Sequence, residues 1–211
     1  MPVKILFRST VGINKFRESV FRIANEPALT EVLIGSGFFQ ERAGYQASFE
    51  TEPAISPDDL RTLLAGKTVN LVGVYNNYWT NDFLNFYGSL LAAGALVMPR
   101  SPAGLRWHAK VILAKPAHLH TPTFALIGSS NMTRPAFGPG APFNFECDVL
   151  IWDEHHPQSD ALAQALDQDD ALAENELPEV VNLDYQPARN GNRTIGDLLS
   201  RLEQTVLRNL A

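Results

Sequence analysis

Two segments decide the fold: residues 106–113 read RWHAKVIL, and residues 124–133 read FALIGSSNMT. Each contains an apolar run of strand length beside short polar residues. His108 and Lys110 are two positions apart, so in a strand their side chains point to the same face. Val111 and Leu113 then point to the opposite face, as expected for a strand that is packed on one side. The two segments predict two strands with polar side chains on them or directly after them.

The sequence on either side alternates short β-rich runs with amphipathic stretches, which is typical of a mixed α/β domain. The second predicted helix begins with Ser56 as a capping residue and Pro57 at its first position. The strands are predicted at Val3–Phe7, Glu31–Gly35, Thr68–Tyr75, Ala95–Met98, Trp107–Ala114, Thr123–Ile127 and Asp148–Trp152. The helices are predicted at Lys15–Asn25, Ser56–Ala65, Thr80–Ala93 and Thr194–Asn209.

Composition limits the class of protein. A chain of 211 residues with 45% hydrophobic content can bury a sizeable core as one domain, with or without a short appendage. The apolar run 90–98 is far shorter than the roughly 20 residues that cross a bilayer, so no membrane span is expected. Arg8 interrupts the apolar stretch that a secretory signal needs, which predicts a cytoplasmic protein. The single cysteine, Cys147, excludes an intrachain disulfide and a cysteine-rich zinc site.

The net charge of −6 is distributed unevenly along the chain. Residues 1–115 carry 12 Lys+Arg and 9 Asp+Glu, whereas residues 116–211 carry 5 and 14. Overall acidity argues against a wide, non-specific nucleic-acid surface. It leaves room for a local basic cleft, because a polyanion responds to the local field.

The amino-acid composition changes after Trp152, and this suggests two regions. We predict a main domain over residues 1–155 and an acidic, helical C-terminal extension over residues 156–211. The final helix carries an apolar stripe that is able to close the core or to pack against a second subunit. The stripe consists of Ile195, Leu198, Leu199, Leu202, Val206 and Leu210.

The polar residues of the two segments suggest an oxyanion site. Burying an unpaired ammonium such as that of Lys110 costs several kcal/mol unless an anion lies beside it. Gly128-Ser129-Ser130-Asn131 supplies a tight turn, a hydroxyl donor and a carboxamide donor after an apolar strand. His-x-Lys alone is common by chance, and Gly-Ser-Ser-Asn alone is usually a turn. Their combination on two successive strands is much more specific.

The combination resembles the signature of the phospholipase D superfamily, His-x-Lys followed by Gly-Ser/Gly-x-Asn. The resemblance is specific from Arg106 to Asp153, and it extends more loosely to residues 31–39. It implies an α/β fold in which helices flank both faces of a mixed β-sheet. It also implies a phosphodiesterase that needs no metal and no cofactor.

The resemblance assigns a role to each matching residue. His108 is the nucleophile that forms a phosphohistidine, and Lys110, Ser129 and Asn131 stabilise the non-bridging oxygens. Glu146 is the candidate acid that orients the histidine, with Asp148 as the second choice. Further contacts to the substrate are predicted for residues in or beside the motifs, namely Arg106, Ser130, Arg134 and Lys115.

Two departures from the family pattern carry information. Lys115 stands where the family has an acid after the lysine, a position usually regarded as structural. The chemistry uses two histidines, one as nucleophile and one as general acid, yet the chain has a single His-x-Lys. We therefore expect a homodimer in which two His108 residues face each other across a twofold axis.

Small single-motif members of the superfamily are commonly nucleases, and the GSSNMTR run at 128–134 is similar to that of restriction-endonuclease-type members. The expected substrate is therefore a nucleic-acid phosphodiester, and the expected enzyme an endonuclease. Two alternatives remain: a phosphodiesterase for a phospholipid or small diester, and a catalytically weak dimeric module that binds nucleic acid or protein. The pairs His118/His120 and His155/His156 lack a third ligand at suitable spacing, so no metal site is predicted.

Overall fold

A computed structural model describes residues 2–9, 14–39, 59–73, 80–100, 109–137, 143–167, 180–208 and 210. Its strands are β1 (Val3–Arg8), β2 (Glu31–Gly35), β3 (Thr68–Val72), β4 (Leu96–Arg100), β5 (Lys110–Lys115), β6 (Phe124–Gly128), β7 (Glu146–Trp152) and β8 (Val180–Leu183). Its helices are α1 (Lys15–Asn25), α2 (Leu60–Leu63), α3 (Thr80–Ala92), α4 (Arg134–Phe137), α5 (Pro157–Gln164) and α6 (Ile195–Arg208). Short 3-10 turns occupy Ala165–Asp167 and Pro187–Asn190.

The described strands form one mixed sheet in the order β4-β3-β2-β5-β6-β7-β1-β8. β2, β3 and β4 are parallel to one another, and every other neighbouring pair is antiparallel. Parallel neighbours need crossovers, and α2 and α3 lie in the connections between those strands. The predicted α/β class with a mixed sheet is confirmed.

Helices cover both faces of the sheet, because successive strand residues alternate between two apolar clusters. The larger cluster joins one face of the central strands to side chains of α1, α2, α3 and α5. On the other face, Leu199 and Val206 of α6 cluster with Leu113 of β5 and Ala125 of β6. The predicted placement of helices on both faces is confirmed. The apolar stripe of α6 packs onto the sheet of its own chain.

Residues beyond 155 belong to the same packed unit as the residues before them. β8 pairs with β1 in antiparallel register, from Val3 opposite Leu183 to Leu6 opposite Val180. Leu166, in the 3-10 turn after α5, is 0% exposed and lies in the larger core cluster. The C-terminal region, predicted to be a helical extension, therefore also supplies an edge strand of the sheet. β8 has only four residues, which is too short a run for periodicity to reveal it.

Local sequence signals set several element boundaries. α1 begins after Asn14, whose side-chain oxygen accepts a hydrogen bond from the N–H of Arg17. α2 begins at Leu60, and its capping residue is Asp59, which accepts from the N–H groups of Arg61 and Thr62. The predicted start of that helix, at Ser56 and Pro57, lies outside the described residues. In the described part of the chain, no helix is long and apolar enough to span a bilayer.

Candidate active site

The ends of six strands lie side by side along one border of the sheet, across the strand direction. We call this border the sheet edge. Lys110 at the start of β5 pairs with Gly128 at the end of β6, and Gly128 pairs with Asp148 near the start of β7. Glu146, the first residue of β7, pairs with Arg8, the last residue of β1. The ends of β2 and β3 reach the same edge, because Gly35 pairs with Val111 and with Val72. The edge therefore gathers residues that are far apart in sequence.

Lys110, Gly128 and Asp148 form one row across three strands, and Gly128 is required in that row. A Cβ at Gly128 would lie 2.1 Å from Oδ1 of Asp148, 2.6 Å from its Cα and 2.6 Å from the carbonyl oxygen of Cys147. The Asp148 carboxylate therefore occupies the space over Gly128, on the side of β7 that faces β5. Lys110 experiences the charges of Asp148 and Glu146 from this direction.

Lys110 is nearly buried, with 9% of its surface exposed. Burial lowers the pKa of its ammonium below the ordinary value for lysine, and the carboxylates of Glu146 and Asp148 oppose that shift. The two carboxylates therefore favour the charged form of Lys110. An added oxyanion would stabilise the charged form in the same way.

Asp148 is 1% exposed, and burial raises the pKa of its carboxyl to about 6. Hydrogen bonds from Ser130 act in the opposite direction, while the charge of Glu146 raises the pKa further. The N–H of Ser130 donates to Oδ1 at 3.1 Å, and its hydroxyl donates to Oδ2 at 2.6 Å. Ser130 itself is 1% exposed, so its hydroxyl faces the interior.

Ser129, unlike Ser130, lies at the surface of the site. Its hydroxyl donates to Oε2 of Glu146 and accepts a hydrogen bond from the N–H of Cys147 at 3.0 Å. The other carboxylate oxygen of Glu146 accepts from the side-chain amide of Asn144 at 3.0 Å. Glu146 is 6% exposed and is therefore held in place from two sides. Ser129 can donate to a ligand only by giving up its bond to Glu146.

Asn131 connects the loop after β6 to the loop after β2. Its Oδ1 accepts from the N–H of Phe38 at 3.2 Å and lies 3.3 Å from the hydroxyl of Ser36, whose proton can go to this oxygen or to the carbonyl oxygen of Phe38 at 2.7 Å. Ser36 Oγ in turn accepts from the N–H of Met132 at 3.0 Å, and Phe39 forms a bridge with Met132. Because the oxygen of the amide is occupied, the NH₂ group of Asn131 is the part that remains for a ligand.

The structure brings together four of the predicted site residues at this edge: Lys110, Ser129, Asn131 and Glu146. His108 and Arg106 lie outside the described residues. Arg134 is the first residue of α4, and its side chain also lies outside the described part. Ser130, predicted to contact substrate, instead points into the protein toward Asp148.

Lys115, also predicted to contact substrate, lies at the opposite end of β5 from Lys110. The five intervening residue steps correspond to about 17 Å of strand. Its Nζ lies 2.8 Å from Oε1 of Glu203 in α6 and 3.7 Å from Oε2 of Glu31 in β2. The structure therefore places Lys115 in an ion-pair cluster that joins α6 to the sheet.

Sequence reasoning missed two residues that shape the site. Ser36 was not singled out, although it follows a buried strand within a Gly-Ser-Gly run at 35–37, which is a typical signal for a polar loop. Arg8 was considered only as an interruption of an apolar stretch. It is 2% exposed, and its guanidinium donates to the carbonyl oxygens of Pro135 and Ala136 in α4. It thereby fixes α4, which follows Asn131, against the end of β1.

Among the described residues, no group of three His, Cys, Asp or Glu side chains is arranged to hold a metal ion. No protein-family model matches the chain, and no curated protein matches it in sequence.

Several solved structures are similar to the chain in fold. One is Nuc from Salmonella typhimurium, described as a phospholipase D family member, with 17% identity, coverage of 79% of this chain and 92% of that chain, and a TM-score of 0.47. NucT from Helicobacter pylori has 14% identity, coverage of 77% and 89%, and a TM-score of 0.47. Polyphosphate kinase from Porphyromonas gingivalis has 16% identity, coverage of 82% and 27%, and a TM-score of 0.46. Of these three, Nuc is described as a member of the family that the sequence resembles.

Proposed function

We propose that the chain is a metal-independent phosphodiesterase, acting on nucleic acid as an endonuclease through a phosphohistidine intermediate. The observation that carries this proposal is the meeting of Lys110, Ser129, Asn131 and Glu146 at one sheet edge. A nearly buried ammonium stands there with a carboxamide donor and a hydroxyl donor close by. This set of groups suits an oxyanion that carries delocalised negative charge.

His108 precedes Lys110 by two residues and serves as the nucleophile. Its ring nitrogen attacks phosphorus, a P–N bond forms, and the bond to the leaving oxygen breaks. A general acid gives a proton to that oxygen as it departs. Water then attacks the phosphohistidine and gives a proton to the group that protonated the leaving oxygen, the P–N bond breaks, and the imidazole is regenerated with a phosphomonoester as the second product.

Lys110 and Asn131 stabilise the charge that develops on the non-bridging oxygens during both steps. Lys110 supplies a positive charge from a side chain that is only 9% exposed, and partial burial strengthens its electrostatic interaction with an oxyanion. Asn131 supplies its NH₂ group, since its oxygen is held by Phe38 and Ser36. Ser129 joins them when an incoming oxyanion replaces Glu146 as the acceptor of its hydroxyl. Glu146 is then released to accept the second ring N–H of His108 and so orient the imidazole.

The general acid comes from a second copy of the chain. One His-x-Lys provides one catalytic imidazole, whereas attack on phosphorus and protonation of the leaving oxygen need two groups. A twofold axis beside the sheet edge would supply the second imidazole as the partner subunit's His108. The expected assembly is a homodimer with a shared site.

The decisive experiment is cleavage of single- and double-stranded DNA in excess EDTA, with a chromogenic phosphodiester measured in parallel. We expect cleavage by the intact protein and at least a ~1,000-fold loss in His108→Ala. His120→Ala is the matched control, because His120 is an exposed histidine in the connection between β5 and β6, and its activity should be unchanged. Trapping acid-labile, base-stable phosphate on the intact protein, but not on His108→Ala, would identify the intermediate.

A shared site has a separate signature. When intact protein and His108→Ala subunits are mixed and allowed to exchange, activity should follow the square of the intact fraction, because a productive site needs both histidines. A linear dependence would show that each subunit acts alone. If the intact protein cleaves neither DNA nor the chromogenic diester under any condition tested, the phosphodiesterase proposal fails and a binding role takes its place.

A further inference from the structure

The buried contact between Ser130 and Asp148 lies directly beneath the residues of the proposed site. Ser130 uses both of its donors on one carboxylate, its N–H on Oδ1 at 3.1 Å and its hydroxyl on Oδ2 at 2.6 Å. Both residues are 1% exposed, so water does not compete for these hydrogen bonds. Two bonds to two oxygens set the position and the rotation of the Ser130 peptide relative to β7.

The contact affects the site because Ser130 is the sequence neighbour of two site residues. Ser130 lies between Ser129 and Asn131, so a shift of Ser130 moves the hydroxyl of one neighbour and the amide of the other. Ser129 is also joined to β7, because its N–H donates to the carbonyl oxygen of Cys147 at 3.2 Å. Asn131 is joined to β2 through Phe38. Asp148 is therefore the central of three anchors of a three-residue loop.

Gly128 supplies an independent sign that this arrangement is specific. The carboxylate of Asp148 fills the volume that a Cβ at Gly128 would take, at 2.1 Å from its Oδ1. The backbone of β7 also lies within 2.6 Å of that volume, so Gly128 accommodates both the strand and the carboxylate. The glycine thus lets the carboxylate reach across β6 to the peptide of Ser130, in the row that begins with Lys110.

Two charged residues of the described part of the chain interact electrostatically with Asp148. Glu146 lies on β7 itself, and Lys110 lies on β5 beyond Gly128. The apolar Leu6 faces Asp148 from β1. The charge of Lys110 is therefore balanced by carboxylates that are themselves fixed.

We infer that Asp148 is a positioning residue for the reaction: through Ser130 it holds the loop 129–131 so that Ser129 and Asn131 meet Lys110 at one oxyanion. This inference rests on the proposed function for its catalytic consequence. It differs from orientation of the histidine, because Asp148 acts through the peptide and the hydroxyl of Ser130. Displacement of catalytic donors by about 1 Å is sufficient to slow a reaction by ~100-fold.

The first test compares two buried serines on the same fold. Ser130→Ala removes the hydroxyl bond to Asp148, and Ser159→Ala removes a hydroxyl bond to Thr123 at 2.9 Å, near the opposite end of β7. Ser159 is 0% exposed, so each variant removes one buried serine hydroxyl. We expect kcat for a chromogenic phosphodiester to fall about 10-fold or more in Ser130→Ala, with a smaller change in KM. Ser159→Ala should retain the kcat of the intact protein.

The second test separates the hydrogen bonds of Asp148 from its charge. Asp148→Asn can still accept from the N–H of Ser130 and can donate its NH₂ to the Ser130 hydroxyl, whereas Asp148→Ala can do neither. We expect kcat to stay within about 3-fold for Asp148→Asn and to fall by about 100-fold for Asp148→Ala. Equal losses in the two variants would overturn the inference, because the charge and not the loop contact would then matter.

A readout without catalysis distinguishes this inference from the proposed function. Amide hydrogen exchange of Ser130 and Met132 should accelerate in Ser130→Ala and Asp148→Ala but not in Ser159→Ala, provided that all are folded by circular dichroism. Unchanged exchange in the first two variants would overturn the positioning role even in an active enzyme. Accelerated exchange in a protein that hydrolyses no diester would retain the role of Asp148 as the loop anchor and reject the phosphodiesterase.

Discussion

The side-chain oxygen of Asn131 accepts a hydrogen bond from the backbone N–H of Phe38 at 3.2 Å, across 93 positions of sequence. A backbone N–H can only donate, so the amide atom that faces it is the oxygen. This contact fixes the orientation of the carboxamide and leaves its NH₂ group for a ligand. It also joins the loop after β6 to the loop after β2.

Asn131→Asp should separate folding from activity. The aspartate retains an oxygen that can accept from Phe38 and from Ser36, so the free energy of unfolding should change by less than about 1 kcal/mol. Its second oxygen replaces a donor by an anion beside the phosphate, and kcat/KM should fall by at least ~100-fold. Urea denaturation and diester hydrolysis measure the two effects. Unchanged hydrolysis would remove Asn131 from the site.

Gly128→Ala should destabilise the protein, because the new Cβ would lie within 2.6 Å of two backbone atoms of β7 as well as close to the Asp148 carboxylate. Overpacking of this kind costs about 1–3 kcal/mol. Gly88→Ala is the matched control: Gly88 lies within α3 and has nothing within 4 Å of an added Cβ. It should stabilise the protein by about 0.5–1 kcal/mol. Urea denaturation of both variants tests the contrast, and equal effects would contradict it.

Asp148 should impose a specific pH dependence on stability. Its pKa is raised from 3.8 to about 6, so between these values the folded protein holds the proton while the unfolded chain has released it. Stability from this group is therefore present at low pH and is lost as pH rises from about 4 to about 6. The loss amounts to about 3 kcal/mol, because a tenfold difference in proton affinity between the folded and unfolded chain corresponds to about 1.4 kcal/mol. Asp148→Asn does not titrate, so its unfolding free energy relative to the intact protein should increase over that range.

Unfolding by urea at half-unit steps from pH 4 to pH 7 measures this difference. The comparison cancels the contributions of groups that both proteins share. Parallel curves for the two proteins would mean that the carboxyl of Asp148 titrates alike in the folded and unfolded chain.

Lys115→Gln should lower stability by about 1 kcal/mol without changing kcat/KM. The side chain loses ion pairs to Glu203 and Glu31, and all three residues are partly shielded from solvent. Lys115 lies about 17 Å along β5 from Lys110, so the substitution should not alter the site. Denaturation and hydrolysis are measured on the same preparation. A loss of kcat/KM at unchanged stability would instead restore the role in substrate binding that the sequence suggested.

Much of the fold could be predicted because its signals are local. α1 and β2 were predicted with the bounds that the structure shows, because amphipathic periodicity and a continuous apolar run each lie within the element itself. β8 escaped prediction because its stability comes from pairing with β1 and not from its own pattern. In the described region, α2 begins at Leu60, where Asp59 accepts from the N–H groups of Arg61 and Thr62, while the predicted start at Ser56 lies outside the described residues.

The candidate site was predictable in composition but not in arrangement. The sequence by itself determined that a lysine, a Gly-Ser-Ser-Asn turn and nearby acids accompany two strands, because side-chain alternation and turn chemistry depend only on neighbouring residues. Only the tertiary structure decided which serine faces the site and which faces Asp148, that Asn131 is oriented by Phe38, and that Lys115 pairs with Glu203, 88 positions away. The physical reason is strand register: it sets which distant residues share a row, and no short stretch of sequence contains it.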